Sequence, residues 1–375
     1  MPPIYVTRPY LPPIDEFLPL LREIWTTRVL TNQGPFHQEL EAKLCAFLEV
    51  SNLSLTANGM LALSAAVDAA ALSGEVITTP YSFVATSHAA KIGQLEPVFV
   101  DIKEGDLNID PEAIEAAVTP RTSAILAVHC YGNPCDVDAI NAIARRHGLT
   151  VIYDAAHAFG VRHRGQGLLS QGDFAALSFH ATKAFNTFEG GAVICNSAAD
   201  KQTVDRNRNF GITEEAVVTS VGGNAKMSEF NAALGLVQLE HFEEVRRKRA
   251  AVDARYREAL SRIDAIDCLA IPADTEPNFS YFPILVRPGF PVNRDGLHER
   301  LAAAGIISRR YFYPLLSNMA PYRSLPSAAN ENLTVANRIA EQILCLPIFP
   351  DLSVPDQMGI IAVIEDVASK ASNRP

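Results

Sequence analysis

The sequence has none of the features that mark membrane, secreted or nucleic-acid-binding proteins. No apolar run approaches the roughly 18 residues that a membrane-spanning helix needs, and the first residues lack the apolar core of a signal peptide. Basic residues number 32 against 42 acidic ones, a formal net charge of −10. Neither a nucleic acid nor an anionic membrane is therefore expected as a partner, and we expect a cytoplasmic protein.

Cysteine is scarce and scattered. The six cysteines are Cys45, Cys130, Cys135, Cys195, Cys268 and Cys345. They include no C-x-x-C pair, and no ordered Cys/His spacing indicates a metal site. We interpret them as reduced, mostly buried side chains, and we predict no bound metal.

What the chain does have is the length and apolar content of a folded protein. It has 375 residues, of which 48% are hydrophobic and 20% charged, so two or three domains are expected. An N-terminal arm rich in Pro and aromatic residues spans 1–34. Candidate strands then follow at 53–55, 76–79, 97–100, 124–129, 151–154, 175–179 and 192–195. Helix-like stretches such as 61–72 and 137–147 lie between them, which predicts an α/β fold: a mostly parallel sheet with helices on both faces.

The pattern changes after residue 195. Residues 227–263 are typical of a long helix whose charged stretch, 240–249, we interpret as a solvated face of an interdomain connector. One strand at 281–286 and helical patterns at 294–304, 332–344 and 355–369 predict a smaller C-terminal α+β domain. We divide the chain into an arm with a large cofactor-binding domain, 1–245, and a small domain, 246–375.

The most informative stretch is S-F-H-A-T-K at 178–183, followed by F-E-G-G-A-V at 188–193. Lys183 comes just after a buried strand and before a Gly-Gly turn. This places it at the carboxyl edge of the sheet, where open α/β sheets bind their ligands. An amine there could form a Schiff base with a carbonyl compound. Taken alone, a lysine such as Lys183 is more often a surface residue.

Three further positions could serve the same ligand. Asp154 ends a strand, where a carboxylate could pair with the ring nitrogen of pyridoxal phosphate, or could only cap a helix. In T-A-N-G-M-L-A at 56–62 a strand ends and a helix begins, so free backbone N–H groups could bind a phosphate, although Asn-Gly is also a plain turn. Phe83 could present its face to the pyridine ring, or be a core residue.

Together these stretches resemble the DegT/DnrJ/EryC1/StrS family of sugar aminotransferases, which are pyridoxal-phosphate enzymes of fold type I. The block S-F-H-A-T-K with E-G-G is highly specific for that family. D-A-A-H-A-F-G at 154–160 and K-M-S-E-F-N-A-A-L-G-L-V-Q-L at 226–239 are similar to its other two signatures. The resemblance covers nearly the whole chain.

The resemblance implies a role for each of these residues. Lys183 would bind the cofactor as a Schiff base and act as base and acid in both half reactions. Asp154 would pair with the pyridinium nitrogen, and Phe83 would stack on the ring. His157 stands where the family usually has Gln, beside the phenolic oxygen of the cofactor, and an imidazole N–H can make the same hydrogen bond. The phosphate would be held by Ser178 and by the amides of Gly59 and Met60.

The resemblance also implies a homodimer with shared active sites. Asn224 matches a family position that reaches the phosphate in the neighbouring subunit's site. The chain departs from the family pattern at Met60, which replaces the usual Thr, and at 315–317, where L-L-S stands in place of a His found in many members. The second departure affects the expected sugar pocket.

The substrates implied are L-glutamate as donor and a nucleotide-linked 4-keto-6-deoxy sugar as acceptor, in a ping-pong cycle of deoxyamino-sugar biosynthesis for polysaccharides such as O-antigen. Arg309 and Arg310, with Tyr311, are the candidates for binding the acceptor's pyrophosphate, although Arg310 could instead form a surface ion pair. Y-D-A-A-H-A-F-G at 153–160 and R-R-Y-F-Y-P at 309–314 are most similar to the branch that makes dTDP-4-amino-4,6-dideoxyglucose.

Several alternatives stay open at this point. Pocket residues choose the acceptor, so amination at the 3-position, or of a GDP- or UDP-linked sugar, is possible within the same family. A cofactor-binding regulatory protein and a dehydratase of the same fold are the others. Lys183 argues against both, because a sensor needs no proton-shuttling amine and the dehydratases have His at that position.

Overall fold

The central element of the fold is a seven-stranded sheet within residues 2–372, the part of the chain that the computed structural model describes. Its strands, numbered along the chain together with those below, are β2 (Leu53–Thr56), β3 (Glu75–Thr78), β4 (Glu96–Phe99), β5 (Thr122–Val128), β6 (Thr150–Asp154), β9 (Phe174–Ser178) and β10 (Gly191–Cys195). Their spatial order is β2-β10-β9-β6-β5-β3-β4, and β10 runs antiparallel to both of its neighbours. The other pairs from β9 to β4 are parallel, so the mostly parallel sheet predicted from the sequence is confirmed.

Helices cover both faces of this sheet, as predicted. One face packs against α3 (Gly59–Ala69), α4 (Val84–Ile92) and α7 (Ala198–Asn207). The other face packs against α2 (Pro35–Leu48), α5 (Pro111–Ala117), α6 (Val137–His147) and the first half of α8 (Glu229–Leu260). Successive strand residues point to opposite faces, so Val76 lies in the first core and Ile77 in the second. With both faces covered, the strand ends are the places left for a ligand.

Helix α8 connects this sheet to the C-terminal part of the chain. Its first half, with Ala232 and Phe242, packs in the core of the large sheet, and its second half, with Val252 and Tyr256, packs in a separate C-terminal core. The long helix predicted at 227–263 is therefore present with slightly shorter bounds. The proposed domain boundary at 245/246 falls inside α8, and the two-domain division stays a prediction.

The C-terminal part contains a second, smaller sheet. Its antiparallel strands β13 (Ile266–Cys268), β15 (Phe282–Val286) and β17 (Ile343–Leu346) are accompanied by α9 (Arg294–Ala303), α10 (Thr334–Gln342) and α11 (Val354–Ser372). The expectation of a single strand and of a helix through residue 344 was wrong. Residues 343–346 are a short apolar run whose pattern suits a helix or a strand equally well, and pairing with β15 decides between them.

The N-terminal arm holds more structure than its composition suggested. It contains α1 (Ile14–Thr27), which begins after Pro13, and β1 (Ile4–Tyr5), which pairs in parallel with β16 (Ile306–Ile307). Smaller elements are the sheet of β7 (Arg162–His163), β8 (Gln166–Gly167) and β14 (Thr275–Glu276), and the hairpin of β11 (Ile212–Glu214) and β12 (Val217–Val218). Short 3-10 turns span Cys130–Gly132, Leu168–Ser170, Leu316–Asn318, Pro326–Ala328 and Asn330–Asn332. Within residues 2–372, no helix is long and apolar enough to cross a bilayer.

Candidate active site

A cavity of about 440 Å³ lies at the carboxyl ends of β5, β6 and β9. The turn between β2 and α3 forms another part of its wall. The structure brings eight of the residues predicted from the sequence into its lining: Gly59, Met60, Phe83, Asp154, His157, Ser178, Lys183 and Tyr311. These residues come from five separate segments of the chain, so the fold assembles them at one sheet edge.

Lys183 lies in the loop that follows β9 and presents its amine to this cavity. Its backbone N–H closes a turn on the carbonyl of His180 at 2.8 Å. Its Nζ donates to the hydroxyl of Tyr281 at 3.3 Å. Burial lowers the pKa of the Lys183 amine to about 8, while the nearby Asp154 and Tyr311 oppose that shift. The lowered pKa increases the fraction of neutral amine near pH 7, which is the form that attacks a carbonyl carbon.

Asp154 is the last residue of β6 and is only 5% exposed. Its Oδ2 accepts a hydrogen bond from Thr86 Oγ1 at 2.7 Å, and its Oδ1 accepts one from the amide of Ala156 at 3.1 Å. Burial raises the pKa of the Asp154 carboxyl, and the bond from Thr86 opposes this. Residues 155–161 form turns, so the helix-cap alternative is wrong. A cation at this carboxylate would be strongly favoured because the carboxylate is buried.

His157 is held as a neutral ring with a defined proton position. Its Nδ1 accepts the backbone N–H of Tyr131 at 3.1 Å, so the ring proton resides on Nε2. Burial, and next the charge of Lys183, lower the pKa of His157 well below its ordinary value. The Nε2–H faces the hydroxyl of Tyr281 at 3.3 Å. His157 is therefore a hydrogen-bond donor toward the cavity, as the resemblance to the family implies.

The turn between β2 and α3 forms a cradle for an anion. Asn58 caps α3, because its side-chain oxygen accepts a hydrogen bond from the amide of Leu61 at 2.9 Å. The amides of Gly59 and Met60 lie in the first turn of the helix and therefore have no intrahelical partners. A Cβ added to Gly59 would lie 2.6 Å from the Cβ of Ser178. The glycine thus lets the helix N-terminus and the Ser178 hydroxyl approach the same point. Such a site suits a phosphate group.

Pyridoxal phosphate fits this set of residues. Phe83 is 60% exposed although it lines the cavity, so its aromatic face is available to cover a flat ring. The cradle at Gly59 suits the phosphate, Asp154 suits a protonated ring nitrogen, and Lys183 suits the aldehyde. Within the described part of the chain, no group of three or more His, Cys, Asp or Glu side chains is placed to hold a metal ion.

Several contributors to the site were not predicted, and three of them have contacts that matter for its chemistry. Tyr281 contacts both Lys183 and His157 through its hydroxyl, and it lies just before β15, in the C-terminal part of the chain. Thr86 holds Asp154, and Phe312 lines the cavity wall. Thr86 follows Phe83 in the segment that drew attention to that aromatic ring. Tyr281 begins the predicted strand 281–286, but no local pattern indicates that it reaches a lysine 98 residues earlier.

Three predicted residues lie outside the cavity. Asn224 is exposed, and its side-chain oxygen accepts from Lys226 Nζ at 2.8 Å. Arg310 pairs with Asp295 at 2.8 Å and its guanidinium lies 5.2 Å from the ring centre of Tyr313. Arg309 lines a smaller pocket that adjoins the cavity.

Comparison with known proteins agrees with this geometry. Residues 14–365 match the DegT/DnrJ/EryC1/StrS aminotransferase family. The chain is 49% identical over 365 residues to a dTDP-4-amino-4,6-dideoxy-D-glucose transaminase of Shigella dysenteriae, covering 97% of this chain and 99% of that protein. It is 52% identical over 351 residues to a protein of the same name from Escherichia coli, covering 93% and 95%.

A solved structure shows the same likeness in three dimensions. The crystal structure of DesI in the presence of its TDP-sugar product superposes with a TM-score of 0.94. It is 34% identical in sequence, and the match covers 99% of this chain and 94% of that one. The fold is therefore similar to that of a protein whose structure was determined in the presence of a TDP-sugar.

Proposed function

The chain belongs to the DegT/DnrJ/EryC1/StrS aminotransferase family, and on that premise we propose that it moves an amino group from L-glutamate to a nucleotide-linked keto-sugar, with pyridoxal phosphate as cofactor. The observation that carries the proposal is the meeting of the Lys183 amine, the buried Asp154 carboxylate and the Gly59 cradle in one cavity. Each of these groups suits a different part of that cofactor.

The binding roles follow from the contacts described above. Pyridoxal phosphate, when bound, supplies the electron sink that allows an amino group to be exchanged for a keto group. Ser178 and the amides of Gly59 and Met60 hold its phosphate, and Phe83 covers its ring. Asp154, fixed by Thr86 and Ala156, presents a carboxylate that keeps the ring nitrogen protonated.

Proton movement falls to Lys183. Its amine, with a pKa of about 8, can accept a proton from the substrate carbon and return it to the neighbouring position within the same pocket. The Tyr281 hydroxyl at 3.3 Å steadies the amine between these events. His157 holds that hydroxyl from the other side, so the three groups form one hydrogen-bonded row.

For the acceptor we propose dTDP-4-keto-6-deoxy-D-glucose, with dTDP-4-amino-4,6-dideoxy-D-glucose as product. Support comes from the two relatives at 49% and 52% identity, whose printed name is that of a transaminase for this product. Location in the cytoplasm and service to a polysaccharide such as O-antigen remain parts of this proposal.

We also propose a homodimer in which Asn224 completes the partner's site. The segment before Asn224 exposes several large apolar side chains: Phe210 at 47%, Val218 at 66% and Val221 at 96%. Exposed apolar clusters of this kind favour burial against another protein surface. Asn224 is itself exposed and lies outside its own chain's cavity, as a residue that serves a partner's site would.

The test is a direct assay of the purified protein. It is incubated with L-glutamate and, separately, with dTDP-, GDP- and UDP-linked keto-sugars, and product masses are read. We expect an amino sugar from the dTDP-4-keto-6-deoxy substrate and none from the Lys183→Ala variant. NMR of the product gives the position of the amine. An amine at the 3-position, or turnover only with a GDP- or UDP-sugar, would overturn the proposed acceptor, and no amination of any sugar would overturn the function.

A further inference from the structure

A second, smaller pocket opens beside the cofactor cavity. Its volume is about 210 Å³, and it shares Thr182, Tyr281 and Tyr311 with the cavity. The Tyr281 hydroxyl lies 3.3 Å from the Lys183 amine, so a ligand in this pocket would sit close to the reacting group. We name it the Arg309 pocket after the charged residue in its wall.

Arg309 combines a fixed backbone with a free guanidinium. Its backbone exchanges two hydrogen bonds with Cys345, at 3.1 and 2.7 Å. Its side chain is exposed and takes part in no ion pair anywhere in residues 2–372. The neighbouring Arg310, in contrast, pairs with Asp295 at 2.8 Å, a carboxylate that it shares with Arg294. One of the two adjacent arginines is therefore committed to the protein, and the other is available to an anion.

The surroundings of Arg309 also suit an anion. The residues that line the pocket, all within the described chain, include no Asp or Glu. They supply hydroxyl groups instead, among them Thr7, whose Oγ1 is buried without a partner in the described structure. Burial raises the pKa of the Tyr311 phenol, while the charges of Arg309 and Lys183 oppose this.

Resting on the proposed function, we propose that the Arg309 pocket binds a carboxylate of the amino donor. A guanidinium matches a carboxylate with two parallel hydrogen bonds, and hydroxyl donors can satisfy the remaining lone pairs. The pocket has about half the volume of the cofactor cavity, 210 against 440 Å³, which suits a small amino acid rather than a nucleotide sugar. Arg309 thereby selects the donor, and the acceptor's pyrophosphate binds elsewhere.

The N-terminal arm takes part in this pocket. Tyr5 and Thr7 line it, and β1 is held in place by its parallel pairing with β16. Thr182, which precedes Lys183 in the S-F-H-A-T-K block, lines it as well. The donor would therefore be bound between the arm, the lysine loop and the segment that carries Arg309.

The experiment measures the two half reactions separately. Conversion of the pyridoxal form by L-glutamate is followed by absorbance in single turnovers, and conversion of the pyridoxamine form by the nucleotide keto-sugar is followed in the same way. For Arg309→Gln we expect the Kd for glutamate to rise about 10- to 100-fold, because a charged hydrogen-bonded pair is lost. The acceptor half reaction should stay within about twofold of wild type.

Two controls sharpen the result. Arg309→Lys keeps the positive charge but loses the planar guanidinium group that can make two parallel hydrogen bonds. Its Kd for glutamate should therefore lie between those of wild type and Arg309→Gln. Arg300→Gln removes another exposed arginine, at the end of α9 and outside the pocket, and should leave both half reactions unchanged. Thermal unfolding of each variant verifies that the fold is intact.

Succinate separates this inference from the proposed function. It carries carboxylates but no amine, so its binding, measured by calorimetry on the cofactor-loaded protein, reports on the pocket whether or not any sugar is aminated. We expect Arg309→Gln to weaken succinate binding about as much as it weakens glutamate binding. Unchanged donor and succinate affinities, or a loss confined to the acceptor half reaction, would overturn the assignment.

Discussion

Replacing Asp154 by Asn tests the role of its negative charge, because the substitution removes that charge and leaves the packing around the side chain nearly unchanged. The side chain keeps its shape, and the amide oxygen can still accept the N–H of Ala156. The new NH₂ group would face Thr86 Oγ1, which now donates to the carboxylate. The Thr86 hydroxyl can instead accept from this NH₂ group and donate its proton to the Ser82 hydroxyl, 2.7 Å away. The substitution therefore removes one charge and little else.

The expected loss of activity is large because that charge is buried. Removing a preorganised polar group from a dry site costs ~3–4 kcal/mol of transition-state stabilisation, or about 10²- to 10³-fold in kcat. Stability should move the other way. Burial raises the pKa of Asp154, so at neutral pH its ionised form disfavours the folded, cofactor-free chain. That penalty is present above the folded-state pKa and disappears as pH falls below the unfolded value. The Asn variant without cofactor should thus be at least as stable as wild type at pH 7.

The assay pairs single-turnover rates with thermal unfolding of the cofactor-free protein. The matched control is Asp253→Asn, which removes another buried carboxylate, 4% exposed, that pairs with Arg257 at 2.6 Å in α8. That variant should keep its turnover, because Asp253 lies in α8 and does not line the cavity. If Asp154→Asn turned over like wild type, the carboxylate would have no role toward the cofactor ring and the reasoning would fail.

Three further outcomes are expected. The rate at which pyridoxal phosphate attaches to Lys183, followed by absorbance, should rise with pH and be half-maximal near pH 8, and borohydride reduction with peptide mapping should locate the label on that lysine. A midpoint near the ordinary 10.5, or label on another lysine, would contradict this. Gly59→Ala should raise the Kd for the cofactor about tenfold, since its Cβ would meet Ser178 at 2.6 Å and relieving such overpacking costs ~1–3 kcal/mol. Gly105→Ala, whose Cβ would meet nothing within 4 Å, is the control and should bind normally. Mixing inactive Lys183→Ala and Asn224→Ala chains should restore activity, because one site of a mixed dimer is intact; no recovery despite demonstrated subunit exchange would indicate that each chain builds its own site.

Much of the large sheet, and most of the predicted residues that line the cavity, could be predicted from the sequence. The strands are short apolar runs bounded by turns, and each lies within two residues of its predicted range. Such strands can be recognised from the local sequence, because a strand that is buried on both faces needs a continuous run of apolar residues. Lys183 and Asp154 could be singled out because each follows a recognisable strand, and strand ends are where parallel sheets bind ligands.

Only the tertiary structure shows the contacts between residues that are distant in the sequence. Tyr281 reaches Lys183 over 98 residues and His157 over 124, and no local pattern encodes either contact. The sequence presents Arg309 and Arg310 as equivalent neighbours, and only the fold brings Asp295 to one of them and an acid-free pocket to the other. Sequence periodicity reports which side of an element is buried, whereas hydrogen bonds and ion pairs depend on which distant segment packs there.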